Sequence, residues 1–347
     1  VAPARINDLG GWTDTWFAGF GSVLSVSVQP GIECLLVVED TGDISKGGVA
    51  IKIKTTGESF YVDPNELTFK KNPIIEAVIF SEGVPKDFHT EISVRSAMPF
   101  GAGTGTSASL AVALLGTLRK LKSADCSPAS LWREAHRIET EVLGLESGIQ
   151  DQICASYGGI CFIEIPQYPD AKISRVSLPE EIVKNLDRTL LLVFLGSAHQ
   201  SSEVHTRVIE KLKSEGLDTP EIETLRKTAF KGLQALLLGD LELYGSVMIE
   251  NNEAQRSLHP ELIPKEADLV IEIAKRNDAL GWKVNGAGGS GGSMTVLLPD
   301  EPQTIEDFKK EINELGLTDK RAMGIRIVET KLDPDGFRVE FVSEENI

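Results

Sequence analysis

The chain has 347 residues, enough for two domains with separate buried cores. Hydrophobic residues make up 41% and charged residues 25%, ordinary globular values that exclude disordered and fibrous classes. A formal net charge of −17 argues against a nucleic-acid partner, because phosphate backbones are bound by clustered Lys and Arg.

Strand signals dominate the first stretch. Val23–Val28 alternates apolar and small polar residues, Cys34–Val38 is apolar, and Val49–Lys54 alternates again. His89–Arg95 reads as a further strand, followed by a glycine-rich loop at Ala97–Thr106. From Ser107 to about Leu121, Leu110, Leu114, Leu118 and Leu121 recur at helical spacing. Ser127-Pro128 supplies a cap residue and a first-turn proline for a second helix reaching about Leu143. A short strand is expected at Ile160–Ile165. The polar stretch from Pro166 to about Leu186 reads as irregular and marks the expected boundary between domains 1–175 and 176–347. Beyond it come a strand at Thr189–Leu195 and helices at Val204–Ser214, Ile222–Leu238 and Ala267–Leu280. A glycine loop, Gly286–Gly292, leads into a strand at Met294–Leu298, and a helix follows around Ile305–Leu315. The end reads as a hairpin, Ile325–Lys331 with Phe337–Val342, turned by Asp333-Pro334-Asp335-Gly336. Strands and helices mix without regular alternation, which predicts an α+β fold.

No apolar run approaches the roughly 18 residues that cross a bilayer, and no signal-peptide pattern opens the chain. The four cysteines, Cys34, Cys126, Cys154 and Cys161, show no paired spacing and read as reduced thiols of a cytoplasmic protein. The chain opens at Val1 rather than Met, inside a strand pattern, which is compatible with a segment of a longer polypeptide.

Pro99-Phe-Gly-Ala-Gly-Thr-Gly-Thr-Ser-Ala-Ser109 carries the most chemistry. Gly101, Gly103 and Gly105 let the backbone approach an anion, and the helix behind them offers free N–H groups and the positive end of its dipole. Thr106 and Ser107 add hydroxyls that can reach a phosphate oxygen or a magnesium ion. No Lys precedes Ser107, so this is not a Walker A loop. Such a cradle can hold ATP despite the acidic balance, because the anion is met locally. A tight strand-to-helix connection is the plainer alternative.

The segment resembles the second motif of the GHMP kinases (galactokinase, homoserine kinase, mevalonate kinase, phosphomevalonate kinase), with Thr104 for the usual Leu and Thr106 for the first Ser. The resemblance implies nucleotide binding by Gly101, Ala102, Gly103, Thr104, Gly105, Thr106 and Ser107, with Ser107 at the magnesium-contacting position. Near the start, Arg5 on a strand and Asp14 after the Gly10-Gly11 bend could converge on one polar ligand, a carboxylate suiting two vicinal hydroxyls; a surface turn is the alternative. Ala4-Arg5-Ile6-Asn7-Asp8-Leu9-Gly10-Gly11-Trp12-Thr13-Asp14-Thr15 is similar to the first motif of GHMP sugar kinases. Its Gly-Gly-Trp-Thr-Asp-Thr wording most resembles fucokinases, with a related version in heptose-phosphate kinases. The likeness implies a catalytic Arg5 and a sugar-binding group of Asp14, Gly11 and Trp12, the last either stacking on a sugar or packing in the core.

Glu139 and Asp151, in Glu139-Thr-Glu-Val-Leu-Gly-Leu-Glu-Ser-Gly-Ile-Gln-Asp151-Gln152, match the spacing of the magnesium-binding Glu and catalytic Asp of the same branch. Glu141 and Glu146 have no such match and read as surface residues. Asn285-Gly-Ala-Gly-Gly-Ser-Gly-Gly-Ser-Met294 contains GxGxxG, but a strand rather than a helix follows, which rejects a dinucleotide fingerprint. It resembles the third GHMP motif, and Gly286, Gly288 and Gly289 would pass close to substrate. Ser197 and His199 could touch an acceptor; with His205 they could equally serve capping and surface roles, and no zinc ligand set is evident.

The resemblance implies an N-terminal domain of the ribosomal-protein-S5-like type, a ferredoxin-like C-terminal domain, ATP and Mg2+ as cofactors, and phosphorylation of a monosaccharide at its anomeric hydroxyl. Its rivals are a heptose-phosphate kinase or another GHMP kinase, a decarboxylase of the same fold, and a catalytically silent sugar sensor. No membrane partner is expected, and the oligomeric state is open.

Overall fold

The computed structural model describes residues 1–39, 48–85, 88–198, 206–212 and 219–342. Two sheets organise an α+β fold. Strand β2 (Gly21–Glu39) is the spine of the first, because its 19 residues are long enough to pair with different neighbours along their length. It is antiparallel to β1 (Ala2–Leu9), β5 (His89–Ser96) and β6 (Ile160–Gln167). Beyond β5 lie β3 (Val49–Ile53), parallel to it, and β4 (Glu58–Val62); beyond β6 lies β7 (Asp170–Val176). Four helices accompany this sheet: α1 (Pro73–Glu82), α2 (Thr106–Leu121), α3 (Pro128–Arg137) and α4 (Gln150–Tyr157). Ile51, Ile92, Ile75, Val78, Leu114, Leu115 and Leu118 meet in one apolar core between them. Asn72 and Ser127 cap α1 and α3 from their side chains, each followed by a first-turn proline.

In the second sheet the order is β11 (Ile325–Val328), β8 (Leu190–Leu195), β10 (Ser293–Leu297), β9 (Gly281–Val284), all antiparallel. The sequence Leu-Leu-Leu-Val-Phe-Leu of β8 is buried throughout, as expected of a strand covered on both faces. Leu191 and Val193 join a core with α8 (Lys265–Arg276) and α9 (Pro302–Thr318). Leu190 and Leu192, on the other face, pack with α5 (Glu180–Thr189), α6 (Pro220–Leu238), α7 (Leu241–Leu258) and Leu24 and Val26 of β2. That shared core ties the two sheets together and fixes the cleft between them.

Several expectations are corrected. The stretch 166–186 is not irregular: an exposed edge strand, β7, and the amphipathic α5 fill it, and their surface polarity hid them. The π-helical turn Ile138–Val142 replaces the last turn expected of α3. The expected C-terminal hairpin does not form. Residues after Val328 instead return to the first sheet, where β12 (Lys331–Leu332) pairs with Gln29 and Val28 of β2. Arg338 N then bonds Val1 O at 3.0 Å. The contiguous division at 175/176 is therefore crossed by the tail. Among the described residues, no helix is long and apolar enough to cross a membrane.

Asp333 anchors that return. Its carboxylate accepts from Asp335 N at 2.9 Å, Gly336 N at 3.1 Å, Arg338 Nη1 at 2.8 Å and the Gln29 amide. Burial alone would raise its pKa, but these bonds hold it below the usual carboxylate value. The stabilisation is present above the unfolded pKa near 3.9 and is lost as pH falls through the lower folded value. Asp333→Ala should cost about 1.5–3 kcal/mol in urea unfolding at pH 6. The gap from the parent should close toward pH 3; a gap independent of pH would count against this role.

Candidate active site

Strand β1 delivers Arg5 to the inner edge of the cleft, where it is buried. Its Nε donates to Asp151 Oδ1 at 2.7 Å, and its Nη1 donates to Gly103 O at 2.6 Å and lies 3.5 Å from Asp8 Oδ1. Burial would lower the guanidinium's pKa; the Asp151 and Asp8 carboxylates more than offset that and hold it above its ordinary value. Asp151 stands in the first turn of α4. A Cβ on Gly105 would lie 3.0 Å from Asp151 Cγ, so the carboxylate abuts the glycine loop directly.

The loop itself has the form an anion cradle needs. Gly101, Gly103 and Gly105 have φ of 67°, 69° and 70°, a region that costs a side chain dearly. Gly105 is the N-cap of the 16-residue α2, whose start no side chain caps. Ser107 is exposed at that start, with Thr106 beside it half-buried. Ala102 and Thr104 are buried, and Thr104 O accepts Arg5 N at 3.0 Å. Both residues are enclosed, backbone included, and Ala102 O accepts Ser293 Oγ at 2.6 Å.

Asp14 is buried against the start of α4. Its Oδ2 accepts from Ile149 N and Gln150 N, both at 3.0 Å, supplying the cap that helix lacks locally. Gly148 makes room, since a Cβ there would meet Asp14 Oδ2 at 2.2 Å. Burial, eased by the Gln150 N–H and reinforced by Asp151, pushes the Asp14 pKa up to about 6. Glu139 is buried too, accepting from Gln152 Nε2 at 2.6 Å and Ser147 Oγ at 2.7 Å. Burial raises it to about 7, with Ser147 opposing and Asp151 adding.

A pocket of about 140 Å³ is lined by Arg5, Asp14 and Asp151, with Trp12, Trp16 and Phe17 as an aromatic wall and Gly286 at its edge; Glu139 and Ser107 do not line it. Trp12 packs on Phe17 with ring centroids 6.0 Å apart and also lines the pocket. Gly11 and Gly288 do not line it. A Cβ at Gly11 would meet Asp8 Oδ2 at 2.5 Å and one at Gly288 Leu262 O at 2.0 Å, so both glycines permit close packing instead. Gly286 does reach the site: its Cβ would lie 2.9 Å from Gly103 O and 3.2 Å from Arg5 Nη2, which brings all three glycine-bearing motifs together. His199 and His205 lie outside the described residues.

Sequence reasoning missed four participants. Glu146 lines the pocket and its carboxylate accepts from Trp16 Nε1. Ile209, in the helical segment 206–212, closes the apolar side. Asp8 and Lys283, both fully buried, pair at 3.0 Å behind Arg5, and Asp8 Oδ1 also accepts Gly286 N at 3.0 Å. Burial would raise Asp8, but Lys283 and Arg5 pull it below its usual value; burial lowers Lys283 against the pull of Asp8. A Lys inside an apolar strand, Gly281-Trp-Lys-Val284, was the available signal.

Among the described residues no cluster of three or more His, Cys, Asp or Glu could hold a metal ion by itself. Mg2+ does not need one: it commonly takes one or two protein ligands and completes its shell with phosphate and water. Ser107 offers an exposed hydroxyl at the uncapped α2 start, where a phosphate-bound ion could be met, whereas Glu139 is buried and holds Gln152 and Ser147.

The uncapped start of α2 lies beside Asp151, which also lines the acidic pocket. Residues 72–159 match the family model of the GHMP kinases N terminal domain. That match takes in α1, the glycine loop and α2 to α4, and over this segment the chain is similar to the GHMP kinases. It is 24% identical over 332 residues, 90% of its length, to the bifunctional fucokinase/GDP-fucose pyrophosphorylase of Arabidopsis thaliana, of which the match spans 31%. It is 25% identical to the mevalonate kinase of Pyrococcus furiosus, covering 76% of each chain. The crystal structure of a D-glycero-D-manno-heptose 1-phosphate kinase from Bacteroides thetaiotaomicron superposes with a TM-score of 0.72 at 21% identity, covering 98% of both chains, which establishes the fold.

Proposed function

We propose that the chain transfers the γ-phosphoryl group of ATP to a monosaccharide hydroxyl, with the anomeric hydroxyl as acceptor. One observation carries this reading: Asp151 faces both the aromatic, carboxylate-lined pocket and Gly105 of the glycine loop. A hydroxyl in the pocket and a phosphate in the cradle would thus share one carboxylate. The Gly10-to-Thr15 wording shared with fucokinases supports the anomeric position.

In this mechanism the acceptor hydroxyl gives its proton to Asp151 as its oxygen bonds to the γ-phosphorus and the bond to the ADP oxygen breaks. Arg5, held by Asp151 and Gly103 O, stabilises charge on the transferring group. Ser107 would meet Mg2+, which neutralises phosphate charge when bound. Asp14, with Oδ2 engaged by α4, offers Oδ1 to the sugar.

A coupled ADP-release assay over a monosaccharide panel tests the reading; ATP binding without ADP release from any sugar would leave a silent sensor. Within it, Ser107→Ala should weaken nucleotide binding with every acceptor. Asp14→Ala should raise the acceptor requirement about 10- to 150-fold with little change in nucleotide affinity. In the parent, acceptor kcat/KM should fall as pH drops through about 6, where Asp14 takes up a proton. Calorimetry with a non-hydrolysable ATP analogue separates the two sites. Nucleotide affinity lost in Asp14→Ala with the sugar response intact would refute the placement.

A further inference from the structure

The pocket's charge narrows the acceptor. Three carboxylates, Asp14, Glu146 and Asp151, line it, and among the described residues Arg5 is the only cation that does so. Arg5 is already engaged by Asp151 and Gly103 O and lies 3.5 Å from Asp8. The segment 206–212 contributes Ile209 to the wall, but its cations turn elsewhere: Arg207 pairs with Glu261, and Lys211 donates to Leu258 O at 3.0 Å. An anionic substituent on the acceptor would therefore meet carboxylates of its own sign, with no uncommitted counter-ion among the described residues that line the pocket.

The outer wall adds a second constraint. Trp16 stands edge-on to Phe17, with ring centroids 5.7 Å apart and an interplanar angle of 85°. Its indole N–H is held by the Glu146 carboxylate, so the negative charge is fixed at the pocket mouth beside an aromatic face. An aromatic face beside fixed acceptors suits a pyranose, which shows C–H groups on one side and hydroxyls at its rim.

We infer that the acceptor is an uncharged monosaccharide, bearing neither phosphate nor carboxylate, and that Glu146, held by Trp16, is the residue that turns anionic sugars away. This rests on the pocket being the acceptor site of the proposed kinase. It separates this chain from two of its relatives, whose names specify a heptose 1-phosphate and mevalonate.

Calorimetric titration with a non-hydrolysable ATP analogue present tests it, using D-galactose, D-mannose and L-fucose against D-galactose 6-phosphate and D-mannose 6-phosphate. At least one neutral sugar should bind, and each ester at least about tenfold more weakly than the best of them. Glu146→Lys, a change at an exposed side chain, should narrow that gap by about tenfold. Glu146→Gln should narrow it less. An ester that binds as well as the best neutral sugar overturns the inference, as does the failure of every neutral sugar to bind. Neutral-sugar binding without ADP release in the coupled assay would end the kinase reading and leave a pocket selective for neutral sugars.

Discussion

Asp151→Asn is expected to cut turnover by about a hundredfold or more while leaving nucleotide affinity within about threefold. The substitution keeps the shape of the side chain, and the amide oxygen can still accept from Arg5 Nε, now at 2.7 Å from Oδ1. What it removes is a group able to take the acceptor's proton. Arg5 keeps its bond to Gly103 O and its neighbour Asp8, so the motif should stay in place. Stability and analogue binding should accordingly change little, and the loss should fall on the chemical step. Single-turnover kinetics with calorimetry on the same preparation separate these effects. Turnover within about threefold of the parent would remove Asp151 from the chemistry.

The site was legible where backbone chemistry dictates residue type. Gly101, Gly103 and Gly105 occupy the left-handed region that their spacing implied, and Arg5, Asp14 and Asp151 meet at one pocket although 146 positions separate the first and last. Periodicity revealed α2 and β8, whose buried faces are almost wholly apolar, and α6, whose buried face is apolar apart from Arg226 and Thr228. It failed for α7, which turns Asn251, Asn252 and Gln255 inward. There Asn251 Oδ1 accepts Gly10 N at 2.8 Å and Asn252 Oδ1 accepts Val284 N at 3.1 Å, so inward polar residues broke the apolar stripe. Glu146 was read as surface because a carboxylate in a polar loop looks the same whether it faces water or a pocket. The Asp-Pro-Asp-Gly turn did mark a reversal, but its residues satisfy one another through Asp333 and need no second strand. Pairing partners distant in sequence, such as β12 with β2, leave no local trace.

The buried Asp8–Lys283 pair carries the largest expected effect on stability. Both side chains are enclosed, at 0% and 1% side-chain exposure, so removing one charge strands the other away from water. Lys283→Met keeps the length and apolar stem of the side chain but leaves Asp8 with Arg5 at 3.5 Å and the Gly286 N–H. Breaking a buried pair in this way costs about 3–5 kcal/mol. Denaturant unfolding should show a loss near the lower end, because Arg5 compensates in part. The double variant Asp8→Leu/Lys283→Met removes both charges and should recover most of that loss, giving a large coupling in the double-mutant cycle. It cannot restore the bond from Gly286 N to Asp8 Oδ1, which joins the third glycine motif to the first. Its turnover should therefore stay below the parent's even where its stability returns. If Lys283→Met unfolded within about 0.5 kcal/mol of the parent, the pair would be contributing neither to the fold nor to the register of the two motifs.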